Sequence, residues 1–272
     1  MYVCSSVEEM LTLERVDATI FRGQNGPASP RQALYGGQVA AQCLMAAAAT
    51  VPEGRSPHSL HGYFLRPGSV DLPVVMEVDI DRDGRSFSAR HVNALQNGKV
   101  IFSMVASFHD ERPESSFDAA PRREAPEPRI DPSSHSWNTI IDVMDVTPFD
   151  LATGRFPDCM WVKTTDPLPS DPIMNAGALV FLSDLGSGFG QVDAGLSGRG
   201  GPSIDHAMWF QEPIRADEWV LLDLVPVKAW SARGTYHGSM RDREGRLGAT
   251  VYQEHLLLPM SAMRPTSPGS EG

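Results

Sequence analysis

The segment SIDHAMWFQEPI, residues 203–214, repeats in outline an earlier segment of the same chain, HSLHGYFLRPG, residues 58–68. Downstream, KAWSARGTY resembles DGRSFSARHV, and REGRLGATVYQEHL resembles QNGKVIFSMVASF. The prolines near the ends of the first pair are 146 residues apart, the Ser-Ala-Arg tripeptides 143 and the turn glycines 147. Similar strings in the same order at a nearly constant offset indicate an internal duplication.

The two repeats differ at two polar positions. When they are superposed, Asp205 falls opposite Ser59, and Gln253 falls opposite Ala106. Only the second repeat therefore carries an acidic side chain at the beginning of one strand and an amide near the end of another. We expect Asp205 and Gln253 to form a pair that activates water.

Length and composition indicate a soluble globular protein. The chain has 272 residues, of which 41% are hydrophobic and 21% charged, and the duplication favours two similar halves. No run of about 18 apolar residues is present, and the first residues lack the pattern of a signal peptide, so we expect a cytoplasmic protein without a membrane segment. Three scattered cysteines fit reduced thiols better than disulfides or a zinc site, and we expect no metal.

The formal net charge of −11 argues against nucleic acid as a partner, because no basic cluster is present to neutralise phosphates. A few arginines could still hold an anionic small ligand. Lysine occurs only at Lys99, Lys163 and Lys228, and this bias towards arginine is typical of GC-rich bacterial genes.

Each half shows one helical segment followed by strands. The apolar stretch YGGQVAAQCLMAAAAT predicts a buried helix in the first half, and NAGALVFLSDLGSG predicts its counterpart in the second. A buried helix followed by an antiparallel meander is an α+β pattern in which the sheet wraps the helix. Strands are predicted at about 58–66, 70–80, 85–95 and 99–109, and again at about 204–212, 217–229, 230–240 and 247–258.

A proline-rich segment separates the two halves. Its composition, with many prolines and charges, predicts an extended and partly disordered linker. The last residues have no apolar periodicity and are expected to form a flexible tail. The predicted division is an N-terminal unit at 1–111, the linker at 112–135, a C-terminal unit at 136–260 and the tail at 261–272.

Six strings of this chain carry a resemblance to a known family. They are FRGQ (21–24), YGGQV (35–39), HSLHGYFLRPG (58–68), DGRSFSARHVNALQNGK (83–99), IDHAMWF (204–210) and YQE (252–254). The strings resemble the acyl-CoA thioesterase II family of double-hotdog proteins. The resemblance implies two tandem hotdog folds, each an antiparallel sheet wrapped around a central helix. It also implies hydrolysis of medium-chain or long-chain acyl-CoA to a free fatty acid and CoA, without a cofactor, and we expect a homo-oligomer.

The family holds the attacking water with an Asp, a hydroxyl residue and a Gln. The resemblance carries the Asp to Asp205 and the Gln to Gln253. The hydroxyl is expected five or six residues before Ser231, where this chain has Pro226 and Val227, so we expect the hydroxyl to be missing and the site to be weakened. Ser231 is the nearest hydroxyl that could replace it.

Other residues are candidates for binding the substrate. Gly36 and Gly37 could let a thioester carbonyl approach the backbone N–H groups at the beginning of a helix, or could simply permit close packing. Arg85, Arg90 and Arg233 could bind the phosphates of CoA, although arginines on strands are usually solvated.

Alternative interpretations remain open at this level. Asp205 alone would also suit a carboxylate that caps an amide at a strand end. The missing hydroxyl would suit an acyl-CoA-binding protein with little or no hydrolytic activity. A hotdog hydratase is disfavoured, because neither predicted helix has the required Asp and His. No serine or cysteine lies in a nucleophile-elbow context, so His58, His61 and His206 are interpreted as packed, hydrogen-bonded histidines.

Overall fold

The computed structural model describes residues 3–27, 33–112, 115–129, 139–150, 155–192 and 199–259. The predicted tail at 261–272 lies outside the described residues, as do parts of the predicted linker. The helices are α1 (Val7–Leu11), α2 (Gly36–Ala48) and α3 (Pro172–Ser183). The strands of the first half are β1 (Glu14–Arg15), β2 (Ile20–Gly23), β3 (Arg55–Phe64), β4 (Val74–Asp83), β5 (Phe87–Gln96) and β6 (Lys99–Asp110). Those of the second half are β7 (Ile141–Asp145), β8 (Cys159–Thr164), β9 (Arg199–Gly200), β10 (Asp205–Phe210), β11 (Val220–Trp230), β12 (Arg233–Arg241), β13 (Leu247–Leu256) and β14 (Leu258–Pro259).

In the described part of the chain, twelve strands form one antiparallel sheet in the order β1-β2-β4-β5-β6-β3-β10-β13-β12-β11-β8-β7. The order reads as two equivalent series of six strands that meet where β3 pairs with β10. At this junction Ser59 pairs with Trp209, and Tyr63 pairs with Asp205. The two cross-strand pairs are related by the offset of 146 residues, so the junction has the twofold arrangement that the duplication predicts.

The two long helices lie against the inner face of the sheet and against each other. Both are apolar on nearly every side, and most of their side chains are buried. Asp171 caps the beginning of α3 through the N–H of Ile173, and Pro172 occupies the first turn, where a missing N–H costs little. Each half is therefore a helix held by an antiparallel sheet, which confirms the predicted α+β class and the tandem hotdog architecture.

The tripeptide match between the repeats does not correspond to structural equivalence. Ser231 and Ala232 have positive φ angles of 52° and 58° and form the two-residue turn between β11 and β12. In the register of the sheet, Tyr236 pairs with Gln253 as Arg90 pairs with Ala106. Tyr236 is thus the structural counterpart of Arg90, which lies 146 residues earlier in the chain. The two Ser-Ala-Arg tripeptides, 143 residues apart, are therefore out of register by three residues.

The described part of the linker crosses the outer face of the second half of the sheet as an extended chain. The carboxylate of Asp118 binds the nearly buried guanidinium of Arg241 at 2.6 Å. Arg123 forms ion pairs with Asp158, which directly precedes β8, and with Asp223 on β11. Residues 115–129 are therefore anchored to the sheet by charges, and the division into N-terminal unit, linker, C-terminal unit and tail stays a prediction.

The sequence patterns missed the outer strands of each half. The short segments at β2 and β8 extend the sheet beyond the predicted meanders, and β1 and β7 form its two edges. All four strands precede the long helix of their half in the chain. β2 pairs with β4 and β8 pairs with β11, while β1 and β7 pair with β2 and β8. Among the described residues, no helix is both long enough and apolar enough to cross a membrane.

Candidate active site

Gln253 is a buried polar residue on the inner face of the sheet. Its side chain is 0% exposed, and it lies on β13, where buried and exposed residues alternate. A buried amide must have partners for both its oxygen and its nitrogen, since an unpaired buried polar group is costly. The partners of Gln253 define the candidate site.

The amide nitrogen of Gln253 is directed at a carboxylate and a hydroxyl. Nε2 donates to Asp184 Oδ1 at 2.8 Å and also contacts the hydroxyl of Ser203. The Ser203 hydroxyl in turn donates to Asp184 Oδ1 at 3.3 Å. An acid, a hydroxyl and an amide therefore converge at one point inside the second half.

Asp184 stands between the two halves of the chain. It is the C-cap residue that directly follows α3, and its side chain is only 6% exposed. A Cβ atom on Gly36 would lie 2.6 Å from Asp184 Oδ2, so the carboxylate reaches the first residue of α2 and leaves no room for a larger residue there. The beginning of a helix favours negative charge through its N–H groups and its dipole.

The amide oxygen of Gln253 accepts from two buried donors. The hydroxyl of Tyr236 lies 2.7 Å from Oε1, and Nδ1 of His206 lies 3.0 Å from it. Burial, followed by the negative charge of Asp184, raises the pKa of the Tyr236 hydroxyl well above its ordinary value, so it remains a donor. The other ring nitrogen of His206, Nε2, lies 2.8 Å from the hydroxyl of Ser183, so both ring nitrogens have a hydrogen-bonding partner.

Asp205 lies on the other face of the sheet. Its Oδ1 accepts from the backbone N–H of Glu254 at 2.6 Å, and its Oδ2 is 3.2 Å from Nε2 of His61. Ala207 pairs with Tyr252, which places His206, not Asp205, opposite Gln253. The structure thus does not bring the expected pair together, because neighbouring residues of a strand point to opposite faces. The observed contact is a carboxylate that caps an amide.

The positions expected to carry the family hydroxyl are far from Gln253 in the sheet. Pro226 pairs with Tyr236, so β12 separates it from β13, and Val227 lies at an irregularity of β11 with 51% of its surface exposed. Ser231 lies in the exposed turn after β11. Neither expected position on β11 therefore carries a hydroxyl, whereas the hydroxyl of Ser203, from another segment, lies against Gln253 and Asp184.

Two signals in the sequence pointed to the residues that were missed. Ser203 precedes Asp205 by two residues in the same motif, and Asp184 directly follows the second predicted helix. The chain bends at Ile204, between the isolated bridge of Ser203 with His255 and the beginning of β10. Strand alternation cannot be extended across a bend, so the facing of Ser203 was not predictable from β10.

The two glycines of α2 have different surroundings. A Cβ on Gly37 would lie 2.6 Å from the carbonyl oxygen of Phe181, so Gly37 permits the close packing of α2 on α3. Gly36 makes room for Asp184 and for the ring of Phe64. Close packing is therefore observed at both positions, and their binding of a thioester oxygen stays a prediction.

The three candidate arginines differ in availability. Arg90 is 0% exposed, and its guanidinium donates to Thr50, to Asp83 and to backbone carbonyls, so it joins the sheet to the end of α2 and has no free face for a phosphate. Arg233 forms an exposed ion pair with Glu254 at 3.3 Å. Arg85 is exposed, and its binding of CoA stays a prediction.

Among its described residues, the first half has no equivalent set of polar groups. Ala106 takes the place of Gln253, and Pro57, which pairs with Phe108 as Ser203 bridges to His255, takes the place of Ser203. A surface cavity of about 840 Å³ lies at this end of the fold, near the beginning of α3, and Pro57 is part of its wall. Within the described residues, no cluster of three or more His, Cys, Asp or Glu side chains could hold a metal ion.

Comparison with known proteins agrees with this architecture. Residues 25–109 match the model of the acyl-CoA thioesterase N-terminal domain, and residues 115–257 match that of the acyl-CoA thioesterase C-terminal domain. The crystal structure of the acyl-CoA thioesterase II TesB2 from Mycobacterium marinum is 37% identical, with a TM-score of 0.74 and coverage of 95% of this chain and 99% of that chain.

Two curated proteins are similar over nearly the whole chain. Acyl-coenzyme A thioesterase 8 from Rattus norvegicus is 32% identical, with coverage of 92% of this chain and 88% of the relative. Acyl-CoA thioesterase 2 from Haemophilus influenzae is 31% identical, with coverage of 94% of this chain and 98% of the relative. The duplicated fold, the matched domains and these relatives together show that the chain belongs to the acyl-CoA thioesterase II family.

Proposed function

We propose that this protein hydrolyses acyl-CoA thioesters to free fatty acid and CoA, with a water molecule activated by Asp184, Ser203 and Gln253. The observation that carries the proposal is the convergence of these three side chains at the beginning of α2. The names of the related proteins support the substrate class. This set replaces the expected pair of Asp205 and Gln253, of which only Gln253 contributes to the site.

The proposed reaction needs no covalent intermediate. Asp184 accepts a proton from water as the water oxygen attacks the thioester carbonyl carbon, while Ser203 and Gln253 orient the water. The oxyanion that forms is stabilised by backbone N–H groups of Gly36 and Gly37 and by the dipole of α2. As the carbon–sulfur bond breaks, the proton on Asp184 passes to the departing sulfur, which leaves CoA as the thiol and the acid as the product.

The main alternative was an acyl-CoA-binding protein that does not hydrolyse its ligand. Its basis was the apparent loss of the hydroxyl at Pro226 and Val227. The hydroxyl of Ser203, which lies against Asp184 and Gln253, speaks against this alternative. A mechanism based on histidine is also disfavoured, since both ring nitrogens of His206 have partners within the fold.

A thiol-release assay across acyl-CoA chain lengths tests the proposal. The three cysteines of the chain are buried, so a thiol-reactive dye reports the CoA that is released with little background from the protein. We expect turnover that is highest with medium or long acyl chains. Binding of acyl-CoA without any release of CoA would instead support the non-hydrolytic alternative.

The setting of the reaction is also part of the proposal. We place the protein in the cytoplasm of a bacterium, where it would act in lipid metabolism as a homo-oligomer. The oligomer is supported by an aromatic patch on the outer face of the sheet, where Tyr63, Trp209 and Tyr252 are 41–51% exposed. Residues 115–129 cover the outer face farther from this junction, at β8 and β11. Light scattering of wild type and of Trp209→Asp tests this, since the charge should dissociate the oligomer.

A further inference from the structure

Gln253 can serve its proposed role in only one of the two orientations of its amide. A half-turn about the last bond of a glutamine exchanges oxygen and nitrogen with almost no change in shape. In the turned state the amide oxygen would face the acceptor oxygen of Asp184, and the site would lose both N–H contacts. Some group must therefore favour the productive orientation.

We propose that Tyr236 is a positioning residue for Gln253, assisted by His206. The hydroxyl of Tyr236 donates to the amide oxygen at 2.7 Å, and a turned amide would leave that hydroxyl proton facing a second donor. The Nδ1 of His206 lies 3.0 Å from the same oxygen and acts in the same sense in the state that carries a proton on Nδ1. This inference rests on the proposed function of Gln253.

The surroundings of the contact favour a strong effect. Tyr236 is 2% exposed and Gln253 is 0% exposed, so solvent cannot replace a lost hydrogen bond. The two residues also face each other across the β12–β13 ladder, which fixes their backbones. The bond is thus between two anchored groups and not between two mobile side chains.

The first half supports a link between the two residues. There the equivalent cross-strand pair is Arg90 and Ala106, which has neither the amide nor the tyrosine hydroxyl. The guanidinium of Arg90 turns instead to Thr50 at the end of α2. The tyrosine therefore occurs in the half that has the glutamine, and the other half has arginine and alanine at the two equivalent positions.

Tyr236→Phe tests the proposal, because it removes one oxygen and keeps the ring that packs edge-on against His255. We expect kcat to fall about three- to tenfold, the effect of one lost hydrogen bond, with KM changed by less than about twofold. Thr164→Val is the matched control, since it removes a buried hydroxyl on β8 that binds only the carbonyl oxygen of Asp166. It should lower stability without lowering kcat.

Two further measurements separate positioning from a general structural effect. In a Gln253→Ala background, Tyr236→Phe should lower kcat no further, because its effect passes through the amide. In nuclear magnetic resonance spectra, the side-chain amide signals of Gln253 should shift or broaden in Tyr236→Phe but not in Thr164→Val. The spectra do not depend on turnover and remain informative if the double variant is too slow to measure.

The outcomes are distinguishable from those of the proposed function. Unchanged kcat and unchanged Gln253 amide signals in Tyr236→Phe would overturn the positioning role while leaving hydrolysis by the wild type intact. An equal fall in kcat with and without Gln253 would also overturn it. A wild type that releases no CoA from any acyl-CoA, or a Gln253→Ala variant with full activity, would instead contradict the proposed function.

Discussion

Asp205 and Gln253 lie on adjacent paired strands but on opposite faces of the sheet. Oδ1 of Asp205 accepts a hydrogen bond from the backbone N–H of Glu254 at 2.6 Å. The side chain of Gln253 points inward, where Nε2 donates to Oδ1 of Asp184 at 2.8 Å. A displacement of one residue along a strand decides which face a side chain reaches. The geometry therefore places Asp184, and not Asp205, against Gln253, and the acidic role proposed for Asp184 rests on this contact.

Asp184→Asn should lower kcat/KM by about 10²- to 10⁴-fold, because a positioned base contributes that much to a proton transfer. The thiol-release assay measures it, and circular dichroism checks that the variant is folded. Asp205→Asn is the discriminating comparison, since an asparagine oxygen can still accept from the N–H of Glu254. We expect it to change the rate by less than about threefold. A large loss in Asp205→Asn together with an active Asp184→Asn would restore the original assignment.

Ser203→Ala should slow hydrolysis about threefold to tenfold or more, because the water and Asp184 lose one hydrogen-bonding partner. Val227→Thr tests the competing expectation that a hydroxyl is missing on β11. Because Val227 is half exposed and two strands away from Gln253, adding a hydroxyl there should leave turnover unchanged. Faster turnover in Val227→Thr would contradict the role of Ser203.

His255 should make the protein sensitive to mild acid. Burial lowers the pKa of this imidazole from 6.5 to about 4, so the folded state resists protonation while the unfolded chain takes up the proton near pH 6.5. The contribution of the neutral His255 to the free energy of unfolding is therefore complete above about pH 6.5 and is lost as the pH falls towards 4. It amounts to roughly 3 kcal/mol, at about 1.4 kcal/mol for each unit of difference.

His255→Phe removes the titrating group and keeps an aromatic ring against Phe189, on which His255 is stacked. Urea unfolding at pH 7.5 and at pH 4.5 should show a smaller loss of stability in the variant than in the wild type. His237→Gln is the control, because His237 is exposed on the outer face of β12. Equal losses in all three proteins would show that His255 does not resist protonation in the folded state.

Arg123→Met should destabilise the fold by about 2–3 kcal/mol, because it leaves the nearly buried carboxylates of Asp158 and Asp223 without their cation. Burial already raises the pKa of Asp223, so the cost should be smaller at pH 5 than at pH 7.5, where the Asp223 carboxylate stays charged. Urea unfolding measures both values.

Arg243→Met is the matched control for the linker contact. Arg243 pairs with Glu127 of the same segment, but both side chains are more than half exposed, and such pairs contribute about 0–1 kcal/mol. The contrast between the two variants tests whether buried charges anchor residues 115–129. Equal effects of the two substitutions would contradict the anchoring described above.

The amino-acid sequence by itself determined the architecture. The duplication, the two apolar helical stretches and the turn residues are local patterns, and they predicted the inner strands closely. The strand predicted at about 99–109, for example, is β6 at Lys99–Asp110, and it follows a hairpin turn in which Asn97 and Gly98 both have positive φ. The sequence also singled out Gln253, which the structure buries on the inner face of the sheet, and its part in hydrolysis stays a prediction.

Only the tertiary structure decided which acid meets that glutamine. Asp184 and Gln253 are 69 residues apart in the chain, and Ser203 lies beyond a bend at Ile204 that interrupts the alternation of β10. Their meeting depends on where α3 ends against the sheet and on how α2 leaves space at Gly36. These are consequences of packing between distant segments, and a periodic pattern along one strand or helix contains no information about them.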